Sequence, residues 1–164
     1  LDRLIQQVDT GSGLQYQNGQ GIKVNGAELG MEQSTLAGMK IRASLSTSRA
    51  TTTQGTALDN SPEWLGKLSL GAPIFPRGGY LAAEAQAISY RHHTWNGTPY
   101  RTGGVMLVNL TATFPDSFIP GMQCRLRVTN LFNRDLAHPA SDEVPVPSVP
   151  QAGRKLTASL DYAF

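Results

Sequence analysis

Residues 39–48 read MKIRASLSTS. Met39, Ile41, Ala43 and Leu45 share one parity, and Lys40, Arg42, Ser44 and Ser46 share the other. Successive side chains of a strand point to opposite faces, so the segment predicts a strand with one apolar and one polar side. Residues 122–129 (MQCRLRVT) repeat the pattern: Met122, Cys124, Leu126 and Val128 alternate with Gln123, Arg125, Arg127 and Thr129. The last ten residues, KLTASLDYAF, do the same, with Leu156, Ala158, Leu160, Tyr162 and Phe164 on one parity.

Weaker copies lie between these segments. Ala27, Leu29 and Met31 alternate with Glu28, Gly30 and Glu32. Leu81, Ala83, Ala85 and Ala87 alternate with Glu84 and Gln86, and Val108, Leu110, Ala112 and Phe114 with Asn109, Thr111 and Thr113. Gly66, Leu68 and Leu70 alternate with Lys67 and Ser69. The expected fold is therefore all-β: an antiparallel up-and-down meander of about eight strands near 1–8, 14–34, 38–52, 61–74, 79–92, 103–115, 121–133 and 153–164. Val24 shares parity with Glu28 and breaks its pattern, which predicts a bulge or bend near Asn25-Gly26.

The connections alternate in length. Short ones fall near Leu36-Ala37, 75–78 and 115–120; long ones fall near 9–13, 53–60, 93–102 and 134–152. In a meander alternate turns emerge at opposite ends, so one end carries short turns and the other long loops, as in outer-membrane barrels. Phe75, Tyr80, Phe114, Phe118, Tyr162 and Phe164 fall near the short-turn end, and Trp64, Tyr90, Trp95, Tyr100 and Phe132 near the other. Two aromatic belts flanking an apolar band suit the two membrane interfaces. A soluble β-sandwich also alternates, and eight is a permitted count for a self-contained barrel. Both remain alternatives.

Composition narrows the function classes. The 164 residues carry a net charge of +2 and only 16% charged side chains, against about 25% in an average soluble domain. The charge balance and the lack of clustered Lys and Arg speak against a nucleic-acid partner. No apolar run approaches the roughly 18 residues of a transmembrane helix. A single cysteine, Cys124, excludes an internal disulfide and a cysteine-based zinc site. The chain opens LDRLIQQ, without an initiator Met or a signal peptide, and is expected to be one unit, residues 1–164, of a longer protein.

The segments VTNLFNRDL (128–136) and QAGRKLTASLDYAF (151–164) resemble the end of a TonB-dependent outer-membrane receptor. Asn130, Leu131, Phe132, Asn133, Arg134, Gly153, Arg154 and Phe164 stand where that family has an Asn-Leu-Phe-Asp/Asn-Arg segment, a Gly-Arg pair and a terminal aromatic. GAELGME (26–32), LAGMKIRASLSTSRA (36–50) and NSPEWLGKLSLGAPIF (60–75) are similar to earlier parts of the family pattern. The resemblance implies the C-terminal section of a transmembrane β-barrel in the bacterial outer membrane, with its C-terminus on the periplasmic side. It implies uptake of a scarce ligand, with a ferric siderophore as the leading case. The implied partners are outer-membrane lipid, a plug domain and the remaining barrel strands. The barrel-assembly machinery is a further partner, and the TonB complex would act only through the N-terminal part that this chain lacks. Leu160, Tyr162 and Phe164 resemble the C-terminal signal that the assembly machinery reads. No cofactor and no enzymatic activity are implied.

Candidate functional residues follow from position. Binding residues concentrate on loops held by a rigid scaffold, which points to Trp95, Tyr100 and Arg101 in one long loop and Asp142 and Glu143 in another. Lys40, Arg42, Lys67, Arg125, Arg127, Lys155, Glu28, Glu32, Glu84 and Asp161 all take polar parity. In a barrel they line the lumen, as mutually paired wall charges, plug contacts or an electrostatic path for an anionic ligand. Adjacent His92 and His93 on a strand face opposite ways and do not share a metal ion, and His138 lies in another loop. Cys124 has no base near it in sequence, and Asn96-Gly-Thr and Asn109-Leu-Thr match the glycosylation pattern without meaning in a bacterial outer-membrane protein.

Overall fold

The computed structural model describes residues 5–19, 21–75 and 78–163. Its strands are β1 (Ile5–Asp9), β2 (Leu14–Asn18), β3 (Ile22–Ser34), β4 (Lys40–Thr52), β5 (Trp64–Phe75), β6 (Gly79–Ile88), β7 (Arg91–Trp95), β8 (Thr98–Thr102), β9 (Val105–Phe114), β10 (Met122–Thr129), β11 (Ala137–Pro139), β12 (Ser148–Pro150) and β13 (Lys155–Tyr162). Seven of them form one antiparallel sheet in the order β13-β10-β9-β6-β5-β4-β3. The remaining six form three two-stranded hairpins: β1–β2, β7–β8 and β11–β12.

The wall thus has seven strands rather than eight. The described part of the 1–8 segment is one arm of a hairpin, with Asp9 opposite Leu14 across a turn. That turn contains Gly11 and Gly13, both at positive φ. Residues 1–4 lie outside the described residues. The expected 14–34 strand is two strands, β2 ending at Asn18 and β3 starting at Ile22, and Gly21 gives its carbonyl to the amide of Thr53. The expected bulge at Asn25-Gly26 is absent: Ile22 to Ser34 pair with Thr52 to Lys40 without a shift. Glycine is needed at 26 for another reason. A Cβ there would meet the Thr47 carbonyl oxygen at 2.5 Å. The register irregularity falls instead between Ala72 and Phe75, next to Pro73, which has no amide to donate.

Paired residues share a face in an antiparallel sheet, so register gives the two surfaces directly. Leu29 lies opposite Leu45, Ala43 opposite Leu68, Ala85 opposite Val108 and Leu126 opposite Ala158. One face is therefore apolar across all seven strands. Glu32 lies opposite Arg42, Ser69 opposite Glu84 and Arg125 opposite Ser159 on the other face. Val24 keeps the parity of Glu28, as the sequence requires. It lies opposite Ala50 on the inner face, while its outward neighbours are Lys23 and Asn25, so the apolar band ends below them.

The sheet has no core of its own. The buried apolar residues among those described are Ile22 and Ala50. Leu29, Met31, Leu45, Leu68, Leu70, Met106, Leu126, Leu156 and Leu160 are all exposed on the apolar face. A soluble sandwich would cover that face with a second sheet; a bilayer covers it with acyl chains. The sheet is also open, with β3 and β13 at its ends, so it is not a closed self-contained barrel.

The short connections at 35–39 and 115–121 and the step from Phe75 to Gly79 lie at one end, and 53–63, 89–104 and 130–154 lie at the other. Aromatic residues mark both levels. Phe75 and Phe114 pack with ring centroids 4.9 Å apart at the short-turn end. Trp64 stands opposite Thr47 on the apolar face near the loop end.

Candidate functional site

The inner face carries two ion pairs. Arg42 Nη2 lies 2.8 Å from Glu32 Oε1 on the neighbouring strand. Arg127 Nη2 reaches across β9 to Glu84 Oε2 at 2.9 Å. The mutually paired arrangement expected for wall charges is realised in these two. Lys67 stands between them without an ion-pair partner among the described residues. It lines a polar depression of about 310 Å³ together with Arg42, Ser44, Ser69, Glu84, Gln86 and Asn109.

At the loop end two side chains stop the wall strands. Ser89 is buried, and its Oγ accepts from the amides of Glu63 (2.9 Å) and Trp64 (3.3 Å), ending β6 at Ile88 rather than near 92. Asn130 is buried and adopts a left-handed conformation with φ of 51°. Its Oδ1 accepts from Arg134 N at 2.9 Å and its Nδ2 donates to Arg134 O at 2.8 Å. Its own amide donates to Asn109 Oδ1. Asn133, also left-handed, accepts the Arg154 amide at 2.8 Å and so ties the top of β10 to the start of β13. A Cβ on Gly153 would stand 2.7 Å from that Asn133 oxygen. Asn130, Asn133, Gly153 and Arg154 thus form one structural knot, and asparagine suits it because its short polar side chain tolerates φ > 0.

Beyond the wall, hairpins β7–β8 and β11–β12 lean on each other. Arg91, His93 and Trp95 share a face of β7 with Tyr100 and Thr102 of β8. Arg91 Nη2 donates to Ala137 O and to His138 Nδ1, each at 3.1 Å, and Nη1 donates to Asn60 Oδ1 at 3.2 Å. His93 Nε2 donates to Pro147 O at 2.7 Å. Trp95 Nε1 donates to Val144 O at 2.9 Å, and Asn96 N donates to Asp142 Oδ1 at 2.8 Å. Burial pushes the Arg91 guanidinium below its ordinary pKa.

The loop residues singled out from sequence therefore divide. Trp95, Tyr100 and Asp142 come together, but as ties between hairpins: Tyr100 lies between His93, stacked at 5.8 Å, and Trp95, edge-on at 6.0 Å. Arg101 is on the opposite face, with its Cζ 3.6 Å above the Tyr90 ring. Tyr90 also meets His92 edge-on at 5.2 Å. Glu143 is exposed. His92 and His93 do face opposite ways, and no group of three potential metal ligands occurs among the described residues. Leu160 and Tyr162 lie exposed on the apolar face of β13, and Phe164 lies outside the described residues. Arg91, Ser89 and Thr102 were not among the sequence candidates. The signal for them was Asn96-Gly97, a two-residue hairpin turn with both residues at positive φ.

A one-layer sheet with an apolar outer face, a charged inner face and long loops at one end defines a section of transmembrane β-barrel wall. The chain belongs to the TonB-dependent receptor-like β-barrel family, whose model matches residues 1–131. That family is one of bacterial outer-membrane receptors and transporters and is not an enzyme family. Solved structures agree in fold. The ferric-catecholate import receptor Fiu from E. coli K12 is 20% identical, with a TM-score of 0.75 over 98% of this chain and 23% of its own. P. aeruginosa FpvA, bound to heterologous pyoverdines, is 14% identical, with a TM-score of 0.75 over 91% of this chain and 20% of its own. The copper transporter OprC is 18% identical, with a TM-score of 0.71 over 96% of this chain and 26% of its own. The chain thus spans about a fifth to a quarter of the receptors it matches. No curated protein sequence matches it.

Proposed function

We propose that this chain is the C-terminal section of the barrel wall of a receptor that imports a ferric siderophore. The carrying observation is the cluster at the loop end: Arg101 held over Tyr90, with His92 beside it, on the hairpin face turned away from β11–β12. A guanidinium on an aromatic platform suits an anionic, aromatic-rich iron chelate. Glu143 is a peripheral contact, whereas Trp95, Tyr100 and Asp142 contribute by fixing the loops. The short-turn end, where Tyr162 lies opposite Met122, faces the periplasm. The polar inner face, with the unpaired Lys67, packs against a plug domain supplied by the rest of the receptor, through which the TonB complex acts. The remaining strands close the barrel, and Leu160, Tyr162 and Phe164 serve the assembly machinery.

The test is ligand binding by the purified full receptor, followed by tryptophan fluorescence with ferric catecholates, ferric hydroxamates and Cu(II). Saturable quenching by a ferric chelate, weakened about tenfold by Arg101→Ala, is expected for loss of one charge-assisted contact of about 1.4 kcal/mol. Saturable quenching by Cu(II) alone would overturn the assignment.

A further inference from the structure

The contact between β7–β8 and β11–β12 holds a buried cation without a counter-charge. Arg91 is 8% exposed, and its partners are an amide oxygen, a backbone carbonyl and an imidazole nitrogen. Arginine only donates, so His138 Nδ1 must be the acceptor and carry no proton. His93 is 5% exposed. A carbonyl only accepts, so Nε2 carries the His93 proton, and Nδ1 is left buried and without a partner. Arg91 Nε and Thr102 Oγ1 are likewise buried and unpartnered, on the same hairpin face.

The other charged or titratable groups on or beside the packed elements are His92, Tyr100, Arg101, Asp142, Glu143 and Asp59, with His92 and Arg101 on the opposite face of β7–β8. None of the carboxylates lies within ion-pair distance of Arg91 or of either imidazole among the described residues. Asp59 and Asp142 accept backbone amides instead, from Thr94 and Asn96.

We propose that this contact is an acid-released clasp, closed while His93 and His138 are neutral and opened when they take up protons. A proton on His138 Nδ1 removes an acceptor from Arg91 and sets cation against cation at 3.1 Å. A proton on His93 Nδ1 creates a buried N–H that has no acceptor unless the hairpins part. Both changes favour the open arrangement, because there the imidazolium groups and Arg91 are hydrated.

The test uses the full receptor with Cys124→Ser, any other native thiol removed, and nitroxide labels at Thr98→Cys and Glu143→Cys. Dipolar distances are measured at about pH 7.5 and about pH 5, on either side of the ordinary imidazole range. A single short distance at the higher pH and a dominant longer one at the lower pH are expected. The His93→Gln/His138→Gln double variant should hold the short distance at both. An unchanged distance in the parent overturns the clasp, as does a pH response that persists in the double variant, since that would belong to His92 or a carboxylate. Hydrogen exchange of the unlabelled parent supplies a second readout if the double variant fails to fold. Loss of protection at the Asn96 amide, which donates to Asp142 across the contact, at about pH 5, beyond the intrinsic change in exchange rate, supports the clasp, and retained protection overturns it.

Discussion

Replacing Leu68 by arginine tests the two-faced wall most directly. Leu68 lies near the middle of β5, between Ala43 and Ala85, and is 40% exposed on the apolar face. Its neighbour Ser69 lies between Arg42 and Glu84 on the inner face. An arginine on the lipid face near the midplane costs about 2–4 kcal/mol, and one on the lumen face costs little. Leu68→Arg should therefore lower the folding equilibrium about 30- to 900-fold. Ser69→Arg, one residue away and beside the Glu84 carboxylate, should leave it within a few-fold. The assay is denaturant unfolding of the full receptor in phospholipid vesicles, followed by tryptophan fluorescence and gel mobility. Equal tolerance of the two substitutions, or greater damage from Ser69→Arg, would refute the assignment of faces and with it the membrane placement of the sheet.

Four further outcomes follow from the geometry. Asn130→Ala removes two side-chain hydrogen bonds at about 1 kcal/mol each and the preference for φ > 0, so a loss of about 3 kcal/mol is expected in the same unfolding assay. Gly153→Ala should shift the same transition, since its methyl group displaces the Asn133 oxygen from Arg154; an unchanged midpoint would show that the knot is not closed as described. Glu32→Gln should leave the midpoint unchanged at physiological salt, because the Arg42–Glu32 pair is solvent-exposed and such pairs contribute little. The isolated 164-residue chain in detergent should run as edge-paired oligomers in light scattering, because β3 and β13 each present an unpaired edge; a heat-modifiable monomer would refute this.

The wall was legible in sequence because a strand's period of two is read residue by residue, and the bilayer enforces it along β10, β13 and β4 up to Leu45, beyond which Arg49 takes the outward parity outside the apolar band. Its register places Lys40, Arg42, Lys67, Arg125, Arg127 and Lys155 on one face with Glu28, Glu32, Glu84 and Asp161, as their parity required. The strand ends were less legible. Ser89 terminates β6 by accepting amides from Glu63 and Trp64, and β10 ends where the Asn130 amide donates to the Asn109 side chain, tertiary events without a periodic trace. The hairpins above the wall carry no legible strand signal, since their few residues show too little alternation. Asn96-Gly97 is the exception, a dipeptide that encodes a tight hairpin turn with both residues at positive φ. The roles of Trp95 and Asp142 were hidden for the same reason, because their partners, Val144 O and Asn96 N, are backbone atoms that no side-chain pattern encodes.

A wall without a core also bears on how such chains diverge. A packed interior restricts each position in volume and shape, because neighbouring side chains must interdigitate. Here the outer positions meet a fluid that accommodates any apolar outline, and many inner ones meet water. Demands on residue identity then collect where backbone approaches backbone or leaves the sheet: Gly26 against the Thr47 carbonyl, Gly153 against Asn133, and the left-handed Asn130 and Asn133. A fold shared at TM-scores of 0.71 to 0.75 with only 14–20% of residues in common is the expected result. Drift in such a wall is limited by polarity along the strand and by a handful of fixed hinges, and the remaining positions are free to wander.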